Sequence, residues 1–233
     1  MHVEPPTHAP TNLKELGIHY LMIVLGILTA LGLEAGFEAW HHRRLANKTI
    51  EQVEVELKAN LAEVRSTLQE NQKTIAAVDT IYAELKTLAR QDKPSSEALS
   101  EILNQRLRIS IFTPGLRRDA WDTAVADQAL MHMPLDALRR LSEAYTAQRE
   151  AQMAVQTNFN VLGSFSRLTD AAVDAEFGRA DAVEALKALR GYRLTLTAIA
   201  GIERDLARQL AQSLGEPVPA AAASAPASAA SAH

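Results

Sequence analysis

The chain has 233 residues and is 47% hydrophobic but only 5% aromatic, because alanine alone fills 41 positions. Alanine is the best helix former and its small side chain lets helices approach closely, so all-β architectures are set aside. The lack of cysteine removes disulfides, thiolate metal sites, a cysteine nucleophile and a lipoprotein anchor, and a net charge of −4 with a pI near 6.0 argues against a general nucleic-acid binder.

In chain order, residues 1–16 are polar and carry Pro5, Pro6 and Pro10, which predicts a disordered tail. Gly17 to Leu33 then contains no charged residue, and the apolar stretch reaches Trp40 interrupted only by Glu34 and Glu38. At about 1.5 Å per helical residue, Tyr20 to Trp40 covers roughly 30 Å, one hydrocarbon thickness. Tyr20 and Trp40 then fall at the two interfaces, and Arg43 and Arg44 follow where headgroup phosphates lie. Only Lys14 precedes the stretch and no Ala-x-Ala follows, so residues 17–40 read as an uncleaved transmembrane helix rather than a signal peptide; a buried core helix is the competing reading. Gly32 and Gly36 form a G-x-x-x-G face, with Gly26 and Ala30 as a small-x-x-x-small pair before it, a candidate surface for self-association. Glu34 points away from that face and is expected to snorkel towards the headgroups.

Residues 41–215 are expected to form an α-helical bundle. Ile50, Val53, Leu57, Leu61, Val64, Leu68, Ile75, Val78, Ile81, Leu85 and Leu88 step by three and four, with a gap at Asn71, and the stripe runs on directly from the membrane segment. Asn60, Asn71, Thr67 and Thr74 at heptad positions suit a bundle better than a dimeric coiled coil. After a turn at Gln91–Ser96, Ser96 is the expected cap of a helix from Glu97 to about Ile109. Phe112-Thr113-Pro114-Gly115 breaks the chain, and a short helix follows with Trp121, Ala124 and Val125 on its apolar side. Pro134 opens a long helix through Leu138, Leu141, Tyr145, Val155, Phe159 and Leu162. The last helix runs from about Arg179 to Leu214 and stops at Gly215. Residues 216–233 are Ala/Ser/Pro low complexity, expected to be disordered. The predicted fold class is therefore all-α: one N-terminal transmembrane helix continuing into an antiparallel bundle.

Chemistry is sparse. No phosphate-binding, dinucleotide-binding, zinc-protease or nucleophile-elbow motif occurs. No catalytic residue, metal ligand or cofactor is expected, so the chain does not read as an enzyme. His41 and His42 diverge by about 100° on a helix and suit an interface better than a shared metal. His132 lies in a loop without a partner motif. Arg117, Arg118 and Trp121, with Asp119 and Asp122, are the densest candidate ligand or partner site. The plainer reading makes Trp121 a core anchor and Asp119 a helix cap. Gln148, Gln152 and Gln156 form a polar stripe that reads as a wet helix face.

Gly26-Ile27-Leu28-Thr29-Ala30-Leu31 followed by Trp40 and Arg43 is similar to a G-[IV]-L-[IL]-A-L…W-x-x-x-R signature, and Glu56-Leu57-Lys58-Ala59-Asn60 to the E-L-x-x-N that follows it. Ala120-Trp121-Asp122-Thr123-Ala124 and Leu138-Arg139-Arg140-Leu141 with Tyr145 complete a pattern spanning about residues 17–152. This arrangement resembles a bacterial family of uncharacterised single-span membrane proteins, a domain of unknown function that brings no activity with it. The lysine and arginine count, Arg43, Arg44 and Lys48 against Lys14, favours the bundle inside. The resemblance implies the opposite side, which gives a periplasmic domain on the bacterial inner membrane as the expectation. The expected role is a membrane-anchored interaction or scaffold protein; the alternative is a sensory or ligand-binding bundle that signals through a partner. Expected partners are the bilayer, a second copy of the chain and an unidentified protein, with no nucleic acid.

Overall fold

The computed structural model describes residues 13–160 and 163–217. Helix α1 runs without a break over Leu13–Leu88, about 114 Å at the helical rise. Its first part is the one stretch, among the described residues, long and apolar enough to cross a membrane, and none of that stretch is buried. Burial begins at Ala46 and continues through Val53, Leu57, Leu61 and Val64 to Leu85 and Leu88, the stripe that the sequence predicts. The expected tail over residues 1–16 needs correction at its end, because the helix already includes Leu13 to Leu16; residues 1–12 lie outside the described residues.

Three further limbs pack along α1. The second descends from its far end: α2 (Ser96–Ser100) passes into a π-helical turn, Glu101–Arg106, then an extended segment over 107–118 leads to α3 (Asp119–Ala126) and a 3-10 turn, Ala129–His132. The third ascends as α4 (Leu135–Asn160) and α5 (Gly163–Glu176), and the fourth descends as α6 (Ala182–Ser213). Cross-contacts fix these directions. Glu84 meets Arg106 and Asn60 meets Arg117, so limb two is antiparallel to α1; Glu54 with Arg140 and Asn60 with Gln148 make α4 parallel; Asp79 with Arg193 and Asn71 with Glu203 make α6 antiparallel. The result is an up-down-up-down bundle with no strand among the described residues.

Several expected boundaries move. Ser95, not Ser96, caps α2, its hydroxyl accepting from the Ala98 N–H. The helix ends at Arg106 rather than Ile109, as Leu107 turns extended. α5 has no counterpart among the expected elements, and Leu162, placed on the preceding helix by the sequence, lies outside the described residues. The last helix starts at Ala182, capped by Asp181, whose carboxylate accepts from Val183 and Glu184. Gly215 stops it as expected, in the left-handed region at φ +68°, with Glu216 N–H reaching back to Ala211 C=O. Glu216 also pairs with Arg65 at 3.1 Å, so the expected tail over 216–233 begins later; residues 218–233 lie outside the described residues.

The core has two compartments. Nearer the apolar end of α1, Val53, Leu57, Leu61 and Val64 pack with Trp121, Leu141, Tyr145, Leu206 and Leu210. Farther out, Val78, Ile81 and Leu85 pack with Leu99, Leu103, Leu168, Leu189, Tyr192 and Leu196. Between Val64 and Val78 lies the fully buried Asn71, and around it the functional geometry is built.

Candidate functional site

An extended segment laid against a helical bundle leaves its backbone donors and acceptors without the partners a helix supplies internally. Three buried side chains take their place. The Tyr192 hydroxyl accepts from the Ser110 N–H at 2.9 Å and donates to the Ser110 C=O at 2.8 Å. The Asn71 amide accepts from Phe112 N–H at 3.0 Å and donates to Phe112 C=O at 2.9 Å. Asn60 repeats this with Arg117, at 2.9 and 2.8 Å. The lengths agree. Asn60 and Asn71 are eleven helical residues apart, about 16.5 Å, and Phe112 to Arg117 covers about the same distance as five extended steps. Pro114, which has no N–H to satisfy, sits between the two clamps and holds Thr113 in an extended conformation.

Each asparagine has a second amide hydrogen to place. Asn60 gives it to Gln148 Oε1 at 3.1 Å, and Asn71 gives it to the Glu203 carboxyl, 3.0 Å from both oxygens. Gln148 is therefore buried and not on a wet face, a correction to the sequence reading of the glutamine stripe; Gln152 and Gln156 are exposed. Glu203 is only 1% exposed, and burial pushes its carboxyl up to about 7 although the Asn71 hydrogen bond pulls the other way. It lies at the edge of an open cavity of about 310 Å³ lined by Thr113 and Pro114 of the extended segment, Gln152 and Gln156 of α4, and Ile202 of α6.

A second knot holds the start of α3. Glu56, one turn before Asn60, accepts from the Ala120 N–H at 2.9 Å and from the Tyr145 hydroxyl at 2.6 Å. This replaces the expected cap: Asp119 is the first helical residue, and no side chain of the preceding position caps the helix. Trp121 is buried with its ring 4.9 Å from that of Tyr145, whose phenol is raised well above its ordinary value by burial and by the Glu56 carboxylate. Of the three proposed ligand residues, Trp121 thus serves the core. Arg118 pairs with Asp122 at 2.8 Å on the surface, and Arg117 contributes its backbone to the Asn60 clamp while remaining exposed. The three do not converge on one cavity.

The residues expected at the membrane interface lie in sequence order along α1. Tyr20, Trp40, Arg43 and Arg44 are exposed, and the Arg44 guanidinium lies 5.6 Å over the Trp40 ring. A Cβ built at Gly26, Gly32 or Gly36 meets nothing within 4 Å, and Ala30 is exposed, so that face is open among the described residues. His42 is approached by Glu38 at 3.4 Å, and its ring stacks on that of His132, with 3.8 Å between centroids. No group of three or more His, Cys, Asp or Glu side chains suited to a metal occurs among the described residues. The chain matches no family model, no curated protein and no solved structure.

Sequence reasoning missed Tyr192 and Glu203 altogether. The available signal was two asparagines inside an otherwise apolar stripe, which asks for buried polar partners on another limb.

Asn71→Ala strands the Phe112 N–H and C=O and removes the Glu203 donor, so it is expected to cost about 3 kcal/mol in denaturant unfolding, whereas Lys73→Ala on the exposed face is expected to change stability by less than about 0.5 kcal/mol. The fold favours the neutral Glu203 carboxyl, so the stability it contributes is complete below pH 4.5 and is lost as pH rises through about 7. Glu203→Gln keeps the acceptor for Asn71 and removes the titration. It should match the parent below pH 4.5 and exceed it by about 3 kcal/mol at pH 8 in urea unfolding; a gap that is constant across this range would contradict the assignment.

Proposed function

We propose that this chain is a single-pass, membrane-anchored helical-bundle scaffold that presents its bundle at a fixed distance and orientation from the bilayer. The observation that carries this reading is the continuity of α1: one helix supplies the exposed apolar stretch and, from Ala46 onward, a wall of the buried core. A tethered domain on a flexible linker would sample many orientations, whereas an uninterrupted helix passes the direction of the span to the bundle. The open face of Gly26, Ala30, Gly32 and Gly36 supports pairing with a second span, and the proposed partners are the bilayer, another copy of the chain and a protein recognised by the bundle surface. The bacterial inner membrane with a periplasmic bundle, and kinship with the single-span family that the span and the Glu56–Asn60 segment resemble, belong to the same proposal.

A sensory or ligand-binding role is the second reading, favoured by the cavity beside Glu203, where a small molecule would touch both the extended segment and two helices.

Expressed in bacteria, the full chain should stay in the membrane fraction after alkaline carbonate extraction. Crosslinking in those membranes should give a dimer that Gly32→Leu diminishes. Release by carbonate would contradict the anchor, and a dimer unchanged by Gly32→Leu would remove the glycine face from the account.

A further inference from the structure

The turn joining α3 to α4 exposes apolar side chains at the end of the bundle nearest the apolar part of α1. Ala129 and Met133 are buried and pin this turn against the bundle. Gln128, just before it, is held in the left-handed region at φ +56°, a conformation that costs a non-glycine residue energy and persists only where its surroundings fix it. Between and beside the pins, Met131 is 78% exposed and Leu135 69%, with Val125 half exposed on the end of α3. A built turn with buried anchors therefore holds large apolar side chains outward.

The stacked histidines fix the height of this turn along α1. The His132 ring lies 3.8 Å from that of His42, at an interplanar angle of 11°. His42 is two residues beyond Trp40, about 3 Å along the helix axis. If Trp40 marks the edge of the hydrocarbon, the headgroup layer extends roughly 5–7 Å further, so both rings, and the turn with them, fall inside that layer. Exposed Arg43 and Arg44 leave α1 at the same level, where lipid phosphates would meet them. Asp127 and Asp136 flank the turn in sequence and are exposed, and Asp127 lines one cavity with Lys48, so attraction to anionic lipid is not uniform around this end.

We propose that residues 128–135 form a second membrane contact, with Met131 and Leu135 entering the headgroup–acyl boundary of the leaflet from which α1 emerges. The proposal rests on reading residues 17–40 as a span. Its consequence is that the bundle is held at two points, α1 and the turn, and so has a defined tilt as well as a defined height. The unbranched, flexible methionine side chain suits an irregular lipid boundary.

The absence of cysteine in the chain makes the test direct. Met131→Cys, Leu28→Cys in the span and Lys93→Cys in the loop at the far end of the bundle are each labelled with an environment-sensitive fluorophore. The full chains are reconstituted into phosphatidylcholine/phosphatidylglycerol vesicles containing lipids brominated near the headgroup or deep in the acyl chain. The proposal predicts strong quenching of the Leu28→Cys label by the deep quencher. It predicts quenching of the Met131→Cys label by the shallow quencher, several-fold greater than that of the Lys93→Cys label. A quenched Leu28→Cys label with Met131→Cys no different from Lys93→Cys would overturn the second contact and leave the span standing. An unquenched Leu28→Cys label would overturn the span and the second contact together. A Met131→Cys label shielded from an aqueous quencher but untouched by either brominated lipid would assign the turn to a protein partner and overturn the lipid assignment.

Discussion

The bundle depends on how it satisfies the backbone of one extended segment. Limb two must travel from Arg106 to Asp119 while lying against α1 and α6, and it does so without helical hydrogen bonds of its own. An unpaired buried N–H or C=O costs about 1–3 kcal/mol, so a segment left bare would expel itself or unfold its surroundings. Asn60, Asn71 and Tyr192 prevent this by offering donor and acceptor together, as a neighbouring β-strand would. Because Phe112 and Arg117 are spaced to match three turns of α1, the clamps set the register of limb two, and the register sets where Trp121 enters the core and where the 3-10 turn meets the base of α1.

The polar layer this requires divides the interior. Val64 and Val78 belong to different apolar compartments, with Asn71 and Glu203 between them. The two clamps solve the same surplus-donor problem differently. Gln148 accepts from Asn60 but leaves its own Nε2 buried without a hydrogen-bond partner among the described residues. Glu203 accepts from Asn71 with a carboxyl that burial keeps near neutrality, at the edge of a cavity open to solvent. A glutamine could serve at position 203, so the acid adds a titratable group to the layer, and any molecule entering the cavity would meet the clamp that fixes the extended segment.

Much of this was legible in the sequence, for identifiable reasons. The Ile50-to-Leu88 stripe has the helical period and carries its own burial pattern, and Gly215 announces a left-handed stop. The resemblance picks out Glu56, Asn60, Trp121 and Tyr145; in the structure Glu56 meets Tyr145, which lies against Trp121, while Asn60 clamps Arg117 one turn further along α1. What the sequence does not display is pairing across limbs. Asn71 interrupts its stripe without saying what it faces, and Glu203 sits between Ile202 and Leu206 where periodicity alone gives it no special role. Asp119 offered an ordinary local cap, but a carboxylate from α1, more than sixty residues earlier, occupies that site. α5 escaped notice although its face is amphipathic, because no proline separates it from α4 and only Gly163 marks its start.

The same helix that carries Glu56, Asn60 and Asn71 also carries the exposed apolar stretch, so the clamped register ties the bundle geometry to whatever surface that stretch enters. A scaffold that holds its surface at a set distance from a bilayer needs both parts: an unbroken α1 and a second limb that cannot slip along it. Amide hydrogen exchange in the full chain tests the clamps most directly. The account predicts that Ser110, Phe112 and Arg117 exchange orders of magnitude more slowly than an unstructured loop, approaching the protection of the α1 core. Exchange of these three amides at loop rates while α1 remains protected would contradict it.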